Sequence, residues 1–323
     1  MNQVIKNYTK KAIVGLLLIC FHEATMAENT QEYQLSDDIT FDSRISVGTQ
    51  SMVANEYLYN SIENHTNSKL IWDTKSLTMV GIGASLHFQE MYTFNIDYWF
   101  SINDANSKMT DYDWMIIGYD GKNDWTHRSI HKDTDVSSAS SFDISAEFNT
   151  YQLSTTILST LIGYRQDTAK RKAYGGEFIY SVEEFRDATG NFPNGKLGIS
   201  YEQTWKSTYL GFKTYTPITN VLTLHTKFIY APFVKGKTTD THHLRDIIGK
   251  STLDNTNMYA INLGLGYKIS NSLTLNLNYM YQKYDTTDGD MKWKERGEVY
   301  YLKNFSIADL KTSLFSISLD YKF

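Results

Sequence analysis

One cysteine, three prolines and no apolar run of helix-spanning length set the first limits on this chain. A lone Cys20 forms no intrachain disulfide and makes no multi-thiolate metal site. So little proline leaves almost nothing to interrupt a sheet's hydrogen-bond ladder. The longest apolar run, Ala12 to Phe21, falls well short of the ~20 residues that a transmembrane helix needs. There is no excess of positive charge either: the formal net charge is −5, which does not point to nucleic acid as a partner. Common hydrolase signatures are absent too, with no G-x-S-x-G elbow and no H-E-x-x-H helix. His242 and His243 are adjacent, a poor spacing for two ligands to one metal, so no metal site is expected.

What is present begins with an export signal. Lys6, Lys10 and Lys11 precede the ten-residue apolar run, and Thr25-Met26-Ala27 supplies a small-x-small cleavage site. Residues 1–27 are therefore expected to be a signal peptide and residues 28–323 a single domain. Bulky Ile19 argues against lipidation at Cys20. Cleavage would remove the only cysteine and leave 28 basic against 35 acidic residues, a charge of −7. The mean hydropathy of −0.41 resembles that of a water-soluble protein. A transmembrane β-barrel escapes that test, because lumen-facing and lipid-facing residues alternate. The 24 tyrosines and 16 phenylalanines suit the aromatic girdles of such a barrel.

Period-two alternation runs from end to end. Tyr92, Phe94, Ile96, Tyr98 and Phe100 alternate with Thr93, Asn95, Asp97 and Trp99, and similar runs cover 222–230, 259–267 and 273–281. The clearest is the last, Phe315, Ile317, Leu319, Tyr321 and Phe323 against Ser316, Ser318, Asp320 and Lys322. A β-sandwich would alternate as well, so the connections decide. Short turns are expected near Gln89-Glu90, Thr150-Tyr151, Pro217-Ile218-Thr219 and Ser270-Asn271-Ser272, and long polar loops over roughly 104–138, 169–196, 239–255 and 288–306. Short turns opposite long external loops are the mark of an outer-membrane barrel. The predicted fold is an all-β, ten-stranded antiparallel transmembrane barrel that extends above the outer membrane, with both termini on the periplasmic side. Its narrow interior should be filled by side chains, which argues against a passive pore.

Two clusters carry candidate chemistry. Asp111 and Asp113 are i and i+2 on an extended segment, so both carboxylates face one side; continuing the preceding strand's parity sends them into the barrel mouth. Like charges that close raise one pKa and let a carboxyl hold a proton near neutral pH. Asp240 and His242 have the same spacing, which lets the carboxylate orient the imidazole and raise its basicity. Here parity is unfavourable, because even-numbered residues of this strand face lipid lower down. A bulge at Pro232 or Gly236 is needed to turn the register over. Alone, the first cluster also fits an acidic loop in solvent or a cation site, and the second a solvated loop with two incidental histidines.

Taken with its neighbours, each cluster resembles part of a known family. The segments Ile45-Ser46-Val47-Gly48-Thr49, Met109 to Met115, Tyr174-Gly175-Gly176, Ile179-Tyr180-Ser181, Glu183-Glu184, Phe185-Arg186-Asp187 and Phe192-Pro193-Asn194-Gly195 resemble, in order, the omptins, outer-membrane proteases of Gram-negative bacteria. The resemblance implies an endopeptidase whose groove lies at the extracellular rim. It places Asp111 and Asp113 on the family's aspartate pair and Asp240 and His242 on its Asp–His pair. A water between them would be activated by His242, with Asp240 orienting the imidazole and no acyl-enzyme formed. Ser129 and His131 also match family positions; an alternative scheme uses Ser129 as nucleophile, but the sequence places no base to activate it.

The resemblance further implies cleavage beside basic residues, with Glu56 on one acidic position of the specificity pocket. The second acid is replaced by Thr238, which predicts a weaker basic preference. No cofactor is expected, although lipopolysaccharide is an expected activator. Tyr164 matches the lipopolysaccharide site, whereas the family's basic contacts fall on Thr168, Thr204 and Asp254; Lys170, Arg171, Lys172 and Lys206 are the expected substitutes. The expected partners are peptides and proteins outside the cell and outer-membrane lipid. The competing hypothesis is an inert barrel serving as an adhesin or host-protein-binding surface.

Overall fold

The computed structural model describes residues 39–323 apart from 61–64, 90, 117–120 and 122, so the predicted signal over 1–27 lies outside the described residues. Among the described residues there are thirteen strands: β1 (Ile39–Asn60), β2 (His65–Phe88), β3 (Tyr92–Ser101), β4 (Asn106–Asp113), β5 (His127–Leu153), β6 (Thr156–Tyr174), β7 (Glu177–Tyr180), β8 (Ala188–Asn191), β9 (Leu197–Pro217), β10 (Leu222–His242), β11 (Ile247–Lys268), β12 (Leu273–Glu295) and β13 (Glu298–Lys322). All pair antiparallel in one sheet, and pairing of β3 with β5 closes it. β3 and β4 are two pieces of one stave, each bridging β2 and β5. β7 and β8 form a hairpin attached to the top of β5. Ten staves therefore make the barrel, as the sequence predicts.

Alternation decides which way each residue faces. Phe94, Ile96, Phe228, Ile261, Leu263, Phe315 and Ile317 point outward and are exposed, as lipid-facing residues must be. Their polar neighbours point into the lumen and pair there. Arg44 meets Asp97 at 2.7 Å and Asp320 at 3.2 Å, Arg165 meets Asp167 at 3.0 Å and Lys213 meets Glu147 at 3.0 Å. The seam is sealed where β1 pairs with β13, and the Phe323 N–H donates to the Phe41 carbonyl at 2.9 Å. Above the membrane the lumen is closed by stacked rings, Trp205 on Tyr284 and Trp72 on Tyr201.

Several predicted loops are strands for most of their length. β5 alone has 27 residues, more than twice the ~10 that cross a bilayer. The segments read as loops over 239–255 and 288–306 contain only a four-residue turn after His242 and a two-residue turn at Arg296-Gly297. Above the membrane the outer face of the wall meets water in place of lipid, so the apolar alternation that marks a strand fades while backbone pairing continues. The turn expected at Thr150-Tyr151 lies at Ser154-Thr155, where Ser154 takes a φ of 55°.

β10 changes face at Pro232. Below it Ile229 and Ala231 point inward; above it Val234, Gly236, Thr238, Asp240 and His242 do. One extra residue lies between Ala231 and Val234 against β11, and between Tyr230 and Phe233 against β9. Proline fits such a bulge because it has no N–H to lose. β11 reverses at the same level through Asp254 and Asn255, with Asn255 at a φ of 63°. Gly236 instead makes room, since a Cβ there would lie 2.7 Å from the Trp205 ring. Deleting Pro232 should restore the lower parity and turn Asp240 and His242 outward. The expected result is a heat-modifiable barrel whose His242 is open to a water-soluble histidine reagent; protection equal to that of the undeleted chain would contradict it.

Candidate active site

The barrel mouth gathers side chains from four staves. Asp111 is 5% exposed on β4, between Leu70 of β2 and Ser129 of β5, and Ser68 Oγ donates to its Oδ1 at 3.3 Å. Asp113 is half-buried one step higher, in register with Ser68 and His127. Across the mouth, Asp240 and His242 are both buried, and Nε2 of His242 lies 2.7 Å from Oδ2 of Asp240. That contact sets the tautomer: the proton sits on Nε2 and the lone pair on Nδ1.

The charges shape one another. Burial, with Asp113 close by, pushes Asp111 up to about 8, against the opposing pull of His242 and Arg245. Burial also raises Asp113, opposed by Ser68, Arg245 and His242. For His242, burial acts downward, but the charge and hydrogen bond of Asp240 outweigh it, and the imidazole is more basic than usual. The aspartate pair and His242 are therefore close enough to shift one another.

Near them are buried polar atoms that lack hydrogen-bond partners. Glu56 has no solvent exposure and neither carboxylate oxygen has a hydrogen-bond partner; burial, then Asp240 and Asp111, hold it protonated well above the usual range. Thr238 Oγ1 is buried and unpartnered as well. Each such atom costs about 1–3 kcal/mol if nothing fills the space. Arg171 is not on the outer wall, where it was expected to substitute for a lipid contact. β6 directs its odd residues inward, so its guanidinium is buried beside Tyr201 with no hydrogen-bond partner. Tyr201 feels both Glu56 and Arg171.

Two further placements correct or extend the sequence reading. Ser129 does have a base beside it, since His131 Nε2 lies 3.0 Å from its Oγ. Yet Nδ1 of His131 has no hydrogen-bond partner, and burial lowers the imidazole despite the nearby backbone of Gly175 and Tyr174. Arg245, which no motif singled out, places Nη2 2.5 Å from Nδ1 of His242.

The third-loop segments hold this arrangement in place. Gly176 has a φ of 108°, and a Cβ there would meet His131 Nδ1 at 2.7 Å. Phe192 stacks on His131 at 5.4 Å. Arg186 lies 3.5 Å over Trp125 and donates to its carbonyl, while Asp187 accepts the N–H groups of Val182, Glu183 and Glu184.

On the outer wall, Tyr164 is half-buried and its hydroxyl donates to Gln166. Thr168 and Thr204 bond each other at 3.2 Å, and Asp254 is exposed. Lys170 is paired with Glu202, whereas Lys206 sits in register with Lys235, both exposed.

Comparison with known proteins agrees with this fold. The model of the omptin family matches residues 36–323. Protease 7 of Escherichia coli (strain K12) is 29% identical over 80% of this chain and 81% of its own. The plasminogen activator of Yersinia pestis is 25% identical over 87% of this chain and 88% of its own. The crystal structure of outer membrane protease OmpT from Escherichia coli superposes with a TM-score of 0.84 at 24% identity, covering 88% of this chain and 97% of that one. A ten-stave barrel of that shape, matched along nearly its whole described length, identifies the chain as a member of the omptin family of outer-membrane proteases.

Proposed function

We propose that the chain is an endopeptidase that hydrolyses proteins and peptides outside the cell, using a water held between the Asp111–Asp113 pair and His242. The observation that carries this reading is the 2.7 Å Asp240–His242 contact, on an imidazole that also feels the aspartates of β4. Nδ1 of His242 takes the water's proton as it attacks the scissile carbonyl, and Asp240 stabilises the resulting imidazolium. At neutral pH one proton stays on the aspartate pair, since Asp111 is raised to about 8. Its charged member holds the water, and the protonated one donates to the developing oxyanion. The groove faces outward in this reading, because the short turns of the barrel lie at the opposite end.

Lysine or arginine beside the cut suits Glu56, whose proton an incoming cation would displace. Thr238 in place of a second acid and the unpaired charge of Arg171 both weaken that preference. Lipopolysaccharide is proposed as an activator on the wall bearing Tyr164, with Lys206 and Lys235 as phosphate contacts. A serine mechanism is favoured only by the His131–Ser129 contact, and it lacks an acid to orient His131; Ser129→Ala should therefore keep most activity.

Asp111→Asn, Asp113→Asn or His242→Ala should lower cleavage by about 10²–10⁴-fold in a barrel that remains heat-modifiable. Asp111→Asn should at the same time raise thermal stability at pH 8. Folded Asp111 keeps its proton to about 8, whereas an unfolded aspartate loses it near its ordinary value, so wild-type stability is full at low pH and falls as pH rises through that window. An amide has no proton to lose, and the gap should close towards pH 4. Activity retained by all three variants would remove the assignment. Digestion of a peptide library by refolded protein should give modest enrichment of Arg and Lys beside the cut, sharpened about tenfold by Thr238→Asp, and cleavage should rise when lipopolysaccharide is added. An absence of enrichment, or equal rates without the glycolipid, would sink the corresponding part.

A further inference from the structure

The turn after β10 folds back over the site. The His243 N–H donates to the Gly198 carbonyl at 2.8 Å, and its Nε2 lies 2.9 Å from Ser200 Oγ. The Arg245 N–H donates to the His242 carbonyl at 3.2 Å, and Asp246 closes the turn with a φ of 53°. Anchored to β9 and to the end of its own strand, the turn brings an exposed arginine onto a buried histidine. Nη2 of Arg245 lies 2.5 Å from Nδ1 of His242.

That nitrogen is the one the reaction requires, because Nε2 is already committed to Asp240. A guanidinium carries only donors, so it can bond Nδ1 only while the imidazole is neutral and the lone pair is free. A proton on Nδ1 would set N–H against N–H. The surroundings otherwise favour the charged ring: Asp240 lies on its own strand, and Asp111 and Asp113 face it from β4. His131 of β5 acts against a second positive charge, and His127 and Tyr180 lie beside the aspartate pair and feel Arg245 too.

We propose that Arg245 is a positioning residue for the reaction: it caps Nδ1 of His242 in the resting groove, opposes a proton on that nitrogen, and yields it to the nucleophilic water when substrate enters. The inference rests on His242 being the base. Together with burial, Arg245 opposes the pull of the acidic side chains towards the charged ring. Arg245 contributes positive charge at the one point where it opposes protonation directly.

The test is the pH dependence of kcat/KM for peptide cleavage by the full-length barrel and by Arg245→Ala and Arg245→Lys, with heat modifiability as the folding control. Without the guanidinium, His242 holds its proton to higher pH. The acid limb of Arg245→Ala should therefore move up by about one pH unit, so that cleavage below the limb falls about tenfold. Arg245→Lys, which keeps the charge, should move it less. A limb that stays in place or moves down in Arg245→Ala overturns the inference, as does a lysine variant shifted as far as the alanine one. Failure of the underlying reading is seen separately, as cleavage that survives His242→Ala.

Discussion

Within lipid, every backbone N–H and C=O must find its partner inside the protein, and that requirement organises the rest of this molecule. A sheet meets it only by closing, which the β1–β13 and β3–β5 pairings accomplish. Closure fixes the number of staves and the narrow lumen, and the lumen must then be filled. It is filled by ion pairs low down and by the Trp205–Tyr284 and Trp72–Tyr201 stacks higher up. Since the staves continue far above the membrane, the mouth is a walled site and not a set of loops. Side chains there are positioned by strands, which hold geometry better than loops do.

The same alternation that makes the barrel also restricts the site. A residue at the rim faces inward only if its parity agrees with the strand beneath it. β4 meets that condition directly and carries Asp111 and Asp113 into the mouth. β10 does not, and the extra residue at Pro232 corrects it, with β11 reversing alongside. The cost of the site is visible in its protonation. Glu56 and Asp111 are buried and hold protons where exposed carboxyls would not. Local stability is given up where function requires unsatisfied polar atoms.

Much of this was legible in the residues themselves. The 315–323 alternation marks a final strand without ambiguity, and the parity argument names Pro232 as a place where the register must turn. The aspartate pair and the Asp–His pair stand out by spacing, although each is weak until the third-loop segments stand beside them. Strand length above the membrane was not legible, because apolar alternation disappears when neither face meets lipid; 239–255 and 288–306 read as loops for that reason. Arg171 sits in a run of three basic residues that looks like surface charge, and only its odd register turns it inward. His131 reaches Ser129 because i and i+2 share a face, a signal that was available in the spacing. Arg245 lies three residues from His242 across a turn, and neither periodicity nor motif shows that such a turn folds back.

A crystal structure with a phosphinic peptide, whose tetrahedral centre mimics the water adduct of a peptide bond, tests the central claim most directly. One phosphinyl oxygen is expected within hydrogen-bond reach of both the aspartate pair and Nδ1 of His242, with the Arg245 guanidinium displaced from that nitrogen. An inhibitor whose tetrahedral centre instead seats against Ser129 Oγ, with His242 still capped by Arg245, would contradict it.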